Sequence, residues 1–210
     1  MKTSKYQVLK TIALCVVLLA AARTGKAQIF PNSYINVDWQ VGVPLGSAYA
    51  DKASGWGMNF EGGYYITPNA GVGLFMAFHT NNEYIDTQTL HLSATSQLTC
   101  DQQHMLFQMP FGAAFRYRFM PEKKFAPYAG VKVGAQYCKT TSYYNVYSTS
   151  NEKWGVFVSP EIGVNIFPMG PNLFGFHMAF YYDYASNQNH LLIYKVDGLH
   201  NIGFRVGLAF

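Results

Sequence analysis

Charged side chains are scarce in this 210-residue chain. Asp, Glu, Lys and Arg together make up 12% of it, about half the roughly 25% usual in a soluble domain. A water-facing globule is hard to clothe with so few charges. Long apolar runs are missing too. Past residue 22 no stretch approaches the ~18 uninterrupted apolar residues of a spanning helix, which leaves strands as the only route across a membrane. Cysteine is limited to Cys15, Cys100 and Cys138. No metal-ligand spacing, phosphate loop or dinucleotide fingerprint occurs. GVGLFMAF (71–78) has spaced glycines, but it follows a turn, reads as a strand and leads into no helix. No cofactor and no metal are expected.

What is present is apolar and aromatic. Hydrophobic residues are 50% and aromatics 17%, yet the mean hydropathy is +0.00. The first 27 residues account for part of this. Lys2, Lys5 and Lys10 precede the apolar run TIALCVVLLAAA (11–22), and Gly25 and Ala27 supply small residues before a cleavage point. This is the three-part pattern of an export signal, which predicts a leader over 1–27 and a mature domain over 28–210. Leu14 stands before Cys15 where a lipidation signal wants a small residue. The leader holds five bases and no acid, so 28–210 carries ten bases against eleven acids, a net charge of −1. Nothing in that balance calls for nucleic acid.

Almost all of the remainder alternates with a period of two. Eight strands are predicted, over 34–43, 55–66, 71–79, 105–119, 125–138, 154–167, 174–184 and 201–210. Most are 9 to 15 residues long, and a tilted membrane strand needs about 9–11. Short turns follow strands two, four and six (67–70, 120–124, 168–172). Longer polar connections follow strands one, three, five and seven (44–54, 80–104, 139–153, 185–198). That alternation of turn and loop is the layout of an outer-membrane barrel.

The residues between the apolar ones decide which face is wet. On a soluble barrel they would be Lys, Glu, Ser and Thr. Here they are chiefly glycines, which suit an interior where space is short. Among them stand four acids (Asp38, Glu61, Glu161, Asp183) and four bases (Arg116, Arg118, Lys132, Arg205), a balanced set able to pair inside a lumen. The middle of each apolar face carries no charge, as a bilayer requires. Trp56, Tyr137, Trp154, Tyr182 and Tyr184 fall at one end of the strands. Tyr64, Tyr117, Phe119, Phe167, Phe174 and Phe210 fall at the other, giving two aromatic bands. Pro110 and Pro160 interrupt strands four and six with the alternation intact, which predicts local kinks or bulges.

With these features the chain resembles the small outer-membrane barrels of Gram-negative bacteria, the outer membrane protein A and X type. The resemblance spans 34–210. It implies an all-β, eight-stranded, antiparallel, up-and-down transmembrane barrel with both termini periplasmic, in contact with outer-membrane lipid and lipopolysaccharide. The closing GFRVGLAF, with Gly203, Phe204, Val206, Leu208 and Phe210, looks like the signal read by the barrel assembly machinery. A larger relative adds a peptidoglycan-binding domain, and that role is not expected here.

For function the sequence offers a structural or surface-interaction protein working through its outer loops. The partner would be host, phage, polysaccharide or protein, and Tyr143, Tyr144 and Tyr147 are candidate contacts. A narrow passive channel is the alternative. A lipid A-modifying enzyme is the third reading, with His91 and Ser93 downstream of Glu83 and Asp86; no enzyme activity is expected. His79 and His177 read as lumen hydrogen-bonders. Export permits a Cys100–Cys138 disulfide, but only if Cys100 folds back towards Cys138.

Overall fold

A computed structural model describes residues 32–46, 49–93, 95–121, 123–145, 147–170, 174–191 and 194–210. The expected leader, 1–27 with Cys15, lies outside the described residues, as do parts of the turns at 120–124 and 168–172. Eight strands form: β1 (Ser33–Pro44), β2 (Trp56–Tyr65), β3 (Ala70–Ser93), β4 (Ser96–Arg118), β5 (Phe125–Tyr144), β6 (Tyr147–Ile166), β7 (Gly175–Leu191) and β8 (Tyr194–Ala209). Each pairs antiparallel with the next, and β8 returns to β1 to close the ring. At the seam Asn36 faces Ala209 and Pro44 faces Asn201. Ile35 and Phe210 exchange two backbone hydrogen bonds of 3.0 and 2.9 Å. Among the described residues no helix is long and apolar enough to cross a membrane.

The barrel is apolar outside and polar inside. Trp39, Leu74, Phe115, Ile162, Phe180 and Ile202 are exposed, whereas Asp38, Asn59, Lys132, Glu161 and His177 are buried. A one-residue slip in any strand would exchange these two sets, so the alternation also fixes the register.

Three of the four expected loops are strand instead. Residues 80–104 form most of a β3–β4 hairpin, 139–153 extend β5 and β6, and 185–198 extend β7 and β8. The reason is physical. Above the membrane both faces of a strand are polar or water-exposed, so the apolar alternation fades while backbone pairing continues. Of the four, only the β1–β2 connection stays outside the strands among its described residues, apart from a bridge between Gly42 and Ser54. β1 and β2 therefore stop well below the other six strands.

The prolines produce missing rungs, not bulges. Met76 faces Phe111 and His79 faces Gln108, with the two pairs between them absent next to Pro110. Pro160 does the same between Val158–Tyr184 and Glu161–Tyr181. Register is identical on both sides of each gap. Among the described residues the register shifts lie higher, in the hairpin arms at Ile85/Gln88, His91/Ser93 and Ala185/Gln188. Phe167 departs from its expected place in the aromatic band at the short-turn end. It turns inward to pack with Ala126 and Ala209.

Inward glycines make room for rings on neighbouring strands. A Cβ on Gly63 would sit 2.7 Å from the Tyr34 ring, one on Gly163 2.8 Å from Tyr128, and one on Gly203 2.7 Å from the Tyr181 hydroxyl. Gly112 and Gly134 face each other across β4 and β5.

Cys100 and Cys138 are both free thiols. Cys138 faces Gln108, eight residues along β4 from Cys100. At about 3.3 Å per residue that separation is far beyond the ~7 Å limit for a disulfide. Denaturation without reductant should expose two reactive thiols from Cys100 and Cys138; finding none would refute this placement. Gly134→Val would drive its side chain onto the Phe111 carbonyl and the Gly112 Cα. The expected loss is about 1–3 kcal/mol, read as a lower temperature for loss of heat-modifiable gel mobility. An unchanged transition would count against the tight interior.

Candidate functional site

The lower half of the lumen is tied by carboxylates that each hold several cations. Glu61 lies 2.8 Å from Arg116 and 2.9 Å from Lys132. Glu161 lies 2.9 Å from Lys132, 2.5 Å from Arg205 and 3.7 Å from Arg116. Asp183 stands 3.7 Å from Arg205. All of these side chains are buried, so removing one would strand its partners in a low-dielectric interior. The members come from β2, β4, β5, β6, β7 and β8, so the pairs reach across the lumen as well as along the wall.

Two members of the predicted set are held differently. Asp38 is bound by the His177 ring at 2.6 Å and by the Asn59 amide at 2.8 Å. His177 continues to the Tyr128 hydroxyl at 2.6 Å, which donates to Glu161 at 3.0 Å. Arg118 lies at the short-turn rim, its guanidinium 3.4 Å from the Tyr65 ring centroid and donating to the Pro68 carbonyl at 2.9 Å. Tyr128 and Tyr181 also carry guanidinium groups on their faces, Arg116 at 3.9 Å and Arg205 at 4.0 Å. Sequence reading passed over these inward rings. Their signal was present: Tyr34, Tyr65, Tyr128 and Tyr181 all fall on the glycine parity of their strands.

The interface aromatics point outward at the upper end of the wall. Trp56 and Trp154 are 77% and 62% exposed. Trp154 packs on Tyr137 at 5.3 Å and edge-on to Phe111 at 6.0 Å. The Tyr182 hydroxyl meets His200 at 2.6 Å, and the Tyr184 ring lies 5.0 Å from the same imidazole. On β8, Phe204, Val206 and Leu208 face outward and Gly203 inward. Phe210 packs its ring on Phe174 at 5.6 Å.

Above the wall, Tyr143 and Tyr147 are exposed on the β5–β6 hairpin. Tyr144, named with them as a surface contact, is corrected: it is 2% exposed and packs inward against Leu90 and Cys100. Strand alternation forces neighbours to opposite faces, so Tyr143 and Tyr144 cannot both point outward. Exposed Lys139 and Glu152 pair at 2.9 Å. Their hydrogen bond raises the lysine's proton affinity and lowers the carboxylate's. His91 and Ser93 are exposed near the β3–β4 tip, opposite Gln97 and Ser96.

The mouth itself is filled from the β1–β2 loop. Tyr49 and Ala50 are buried in a cluster with Leu106, Cys138, Phe157, Val196 and Leu199. The Tyr49 ring stacks on His104 with centroids 4.4 Å apart and planes within 4°. Its hydroxyl bonds to Ser142 at 2.9 Å. His104 Nδ1 donates to the Tyr49 carbonyl at 2.8 Å, and burial pulls this imidazole below its usual range. No periodic signal marked Tyr49, which belongs to no strand.

The sequence profile of the outer membrane protein beta-barrel domain family matches residues 11–210. The chain belongs to this family. Membership of this family implies a bacterial outer-membrane location. Neisserial surface protein A is similar at 12% identity and TM-score 0.57, over 85% of this chain and 96% of that one. Ail, the attachment invasion locus protein of Yersinia pestis, is similar at 14% identity and TM-score 0.47, over 85% and 97%. The outer membrane protein OprG from Pseudomonas aeruginosa gives 15% and 0.46, over 85% and 94%. No curated protein matches the sequence. At 12% identity the likeness to Neisserial surface protein A is one of fold.

Glu161→Gln keeps the shape of the most connected side chain and removes its charge. It should destabilise the barrel by about 3–5 kcal/mol, measured as a lower urea midpoint in detergent. Gln40→Glu is not a substitute test, because it adds a charge beside Arg205, whose Nε already donates to Gln40 at 3.2 Å. A Glu161→Gln barrel as stable as the parent would show that the ion pairs contribute nothing net.

Proposed function

We propose that this barrel acts at the cell surface, in a structural or interaction role carried by its outer hairpins, and that its lumen is not an open channel. The observation that carries this is the filled interior. Cross-lumen ion pairs occupy the lower half, Phe75 and Phe157 meet at 5.7 Å above them, and Tyr49 fills the mouth. No catalytic role is assigned to His91 and Ser93. The β3–β4 and β5–β6 hairpins present Tyr84, Tyr143 and Tyr147 to solvent. Tyrosine offers large contact area at low entropic cost.

In this reading the hairpins face the exterior and the short turns, with both termini, face the periplasm. The upper aromatics meet lipopolysaccharide. The segment with Gly203, Phe204, Val206, Leu208 and Phe210 is what the assembly machinery reads during insertion. Two measurements test the proposal together. In planar bilayers the purified barrel should give no stable single-channel conductance, and a stable open state would replace this reading with the passive channel. Protease added to intact cells should cut within the hairpin arms and leave the short turns whole; cleavage confined to the turns would invert the orientation.

A further inference from the structure

Towards its upper end the barrel is no longer a closed ring. β2 pairs with β3 only as far as Trp56–Thr80, and β1 pairs with β8 only as far as Pro44–Asn201. β3 continues to Ser93, and β8 begins at Tyr194. The six strands from β3 to β8 therefore form an open sheet there, with two edges above the shorter β1 and β2. On β8 the left-handed Gly198, at φ 77°, interrupts its edge. The β3 edge is regular up to the shift at Ile85/Gln88.

The Thr80 carbonyl accepts from the Ser54 hydroxyl at 2.5 Å, on the side away from β4. Alternate residues of an antiparallel strand bond to alternate neighbours. Asn82 and Tyr84 therefore turn their N–H and C=O groups the same way as Thr80, where β2 has ended. The β1–β2 loop leaves them uncovered. It reaches β3 through inward side chains: the Asn81 amide donates to the Lys52 carbonyl at 3.2 Å, and Glu83 accepts from the Asp51 amide at 3.1 Å. Asn82 and Tyr84 are exposed, and among the described residues no backbone group pairs with them from the β2 side. Such a row is a template for one more strand. Charge selects which strand. Residues 80–104 carry Glu83, Asp86 and Asp101 and no Lys or Arg, while Asp51 and Lys52 in the loop cancel. The Tyr84 hydroxyl donates to Asp101 at 3.3 Å, and Asp86 is exposed just beyond. Two copies joined through β3 would set these acids against each other, and like charges facing across strands are destabilising.

We propose that the β3 edge at Asn82 and Tyr84 is a docking site for an extended peptide segment rich in lysine or arginine, carried by an extracellular protein. The segment adds as a strand in the track that β2 leaves at Trp56. Main-chain hydrogen bonds supply the affinity and alternate side chains the selectivity, with the basic ones meeting Asp86 and Asp101. This site rests on the surface-interaction reading of the hairpins and narrows it to one edge. A conducting lumen or inverted hairpins would remove that reading whatever the edge binds, and a silent edge would leave that reading standing.

The experiment uses the whole barrel in detergent and the capped peptide Thr-Lys-Val-Lys-Val-Lys-Thr. The peptide should bind saturably and slow hydrogen exchange at the Asn82 and Tyr84 amides at least tenfold. The same peptide N-methylated throughout keeps its charge but offers no N–H, and should bind at least tenfold more weakly. So should the peptide with Glu in place of Lys. Tyr84→Pro removes an edge N–H and no β3–β4 bond, a substitution that edge strands tolerate. It should stay heat-modifiable and bind at least tenfold more weakly, whereas Tyr84→Ala should bind within threefold of the parent. A folded barrel that does not bind the basic peptide overturns the proposal. So does equal affinity for the methylated or the acidic peptide, or an equal loss in Tyr84→Ala and Tyr84→Pro, which would place the contact on the ring. Slow exchange at both amides in a peptide-free barrel of dimeric mass would give the edge to a second copy and overturn it as well.

Discussion

Eight strands closed into a ring leave an interior only about as wide as the side chains that line it, and the rest of this structure depends on that limit. No water column can solvate inward-facing groups, so every large inward side chain needs both space and a partner. Space comes from glycine. Tyr34, Tyr128 and Tyr181 lie where neighbouring strands carry Gly63, Gly163 and Gly203. Partners come from charge. Glu61 and Glu161 gather Arg116, Lys132 and Arg205 at distances of 2.5–2.9 Å.

The two kinds of bonding fix different dimensions of the barrel. Backbone ladders set the spacing between neighbouring strands, about 4.8 Å, and with the strand number and stagger they set the mean width of the ring, but a ring of that width can still flatten. Side-chain pairs spanning the lumen oppose that flattening. Glu161 on β6 is bound from β5 by Lys132, from β8 by Arg205 and from β4 by Arg116, and Tyr128 and His177 extend the chain to Asp38 on β1. A purely apolar filling could be as stable, but apolar groups are interchangeable in a way that these pairs are not. This accounts for missing rungs at Pro110 and Pro160 without loss of register: the wall beside each gap is held from inside.

The same constraint explains what was legible in the sequence. Where lipid presses on one face and a packed lumen on the other, alternation is enforced residue by residue, and strand number, inward and outward faces and lumen charges could be read directly. Above the bilayer that pressure ends. The hairpin arms at 80–104, 139–153 and 185–198 still pair, but neither face must be apolar, and they read as loops. The inward rings were obscured for a related reason. An aromatic residue on a membrane strand is expected to face lipid, which put Phe167 in an outward band, and Tyr144 read as a loop contact because its segment showed no alternation; the backbone turns both inward. Tyr49 had no pattern to betray it, because its place depends on strands β4, β5 and β8, which are distant in sequence.

The contrast between wall and loop carries the argument from fold to function. A fully paired, internally braced barrel has little freedom to change shape within the membrane. Among the described residues pairing stops in the β1–β2 loop, the one long connection that did not become strand. That loop closes the mouth with a single ring, set on His104 and Ser142. Paired strands position those two residues, so the seat of Tyr49 is set by the walls and not by the loop that covers it.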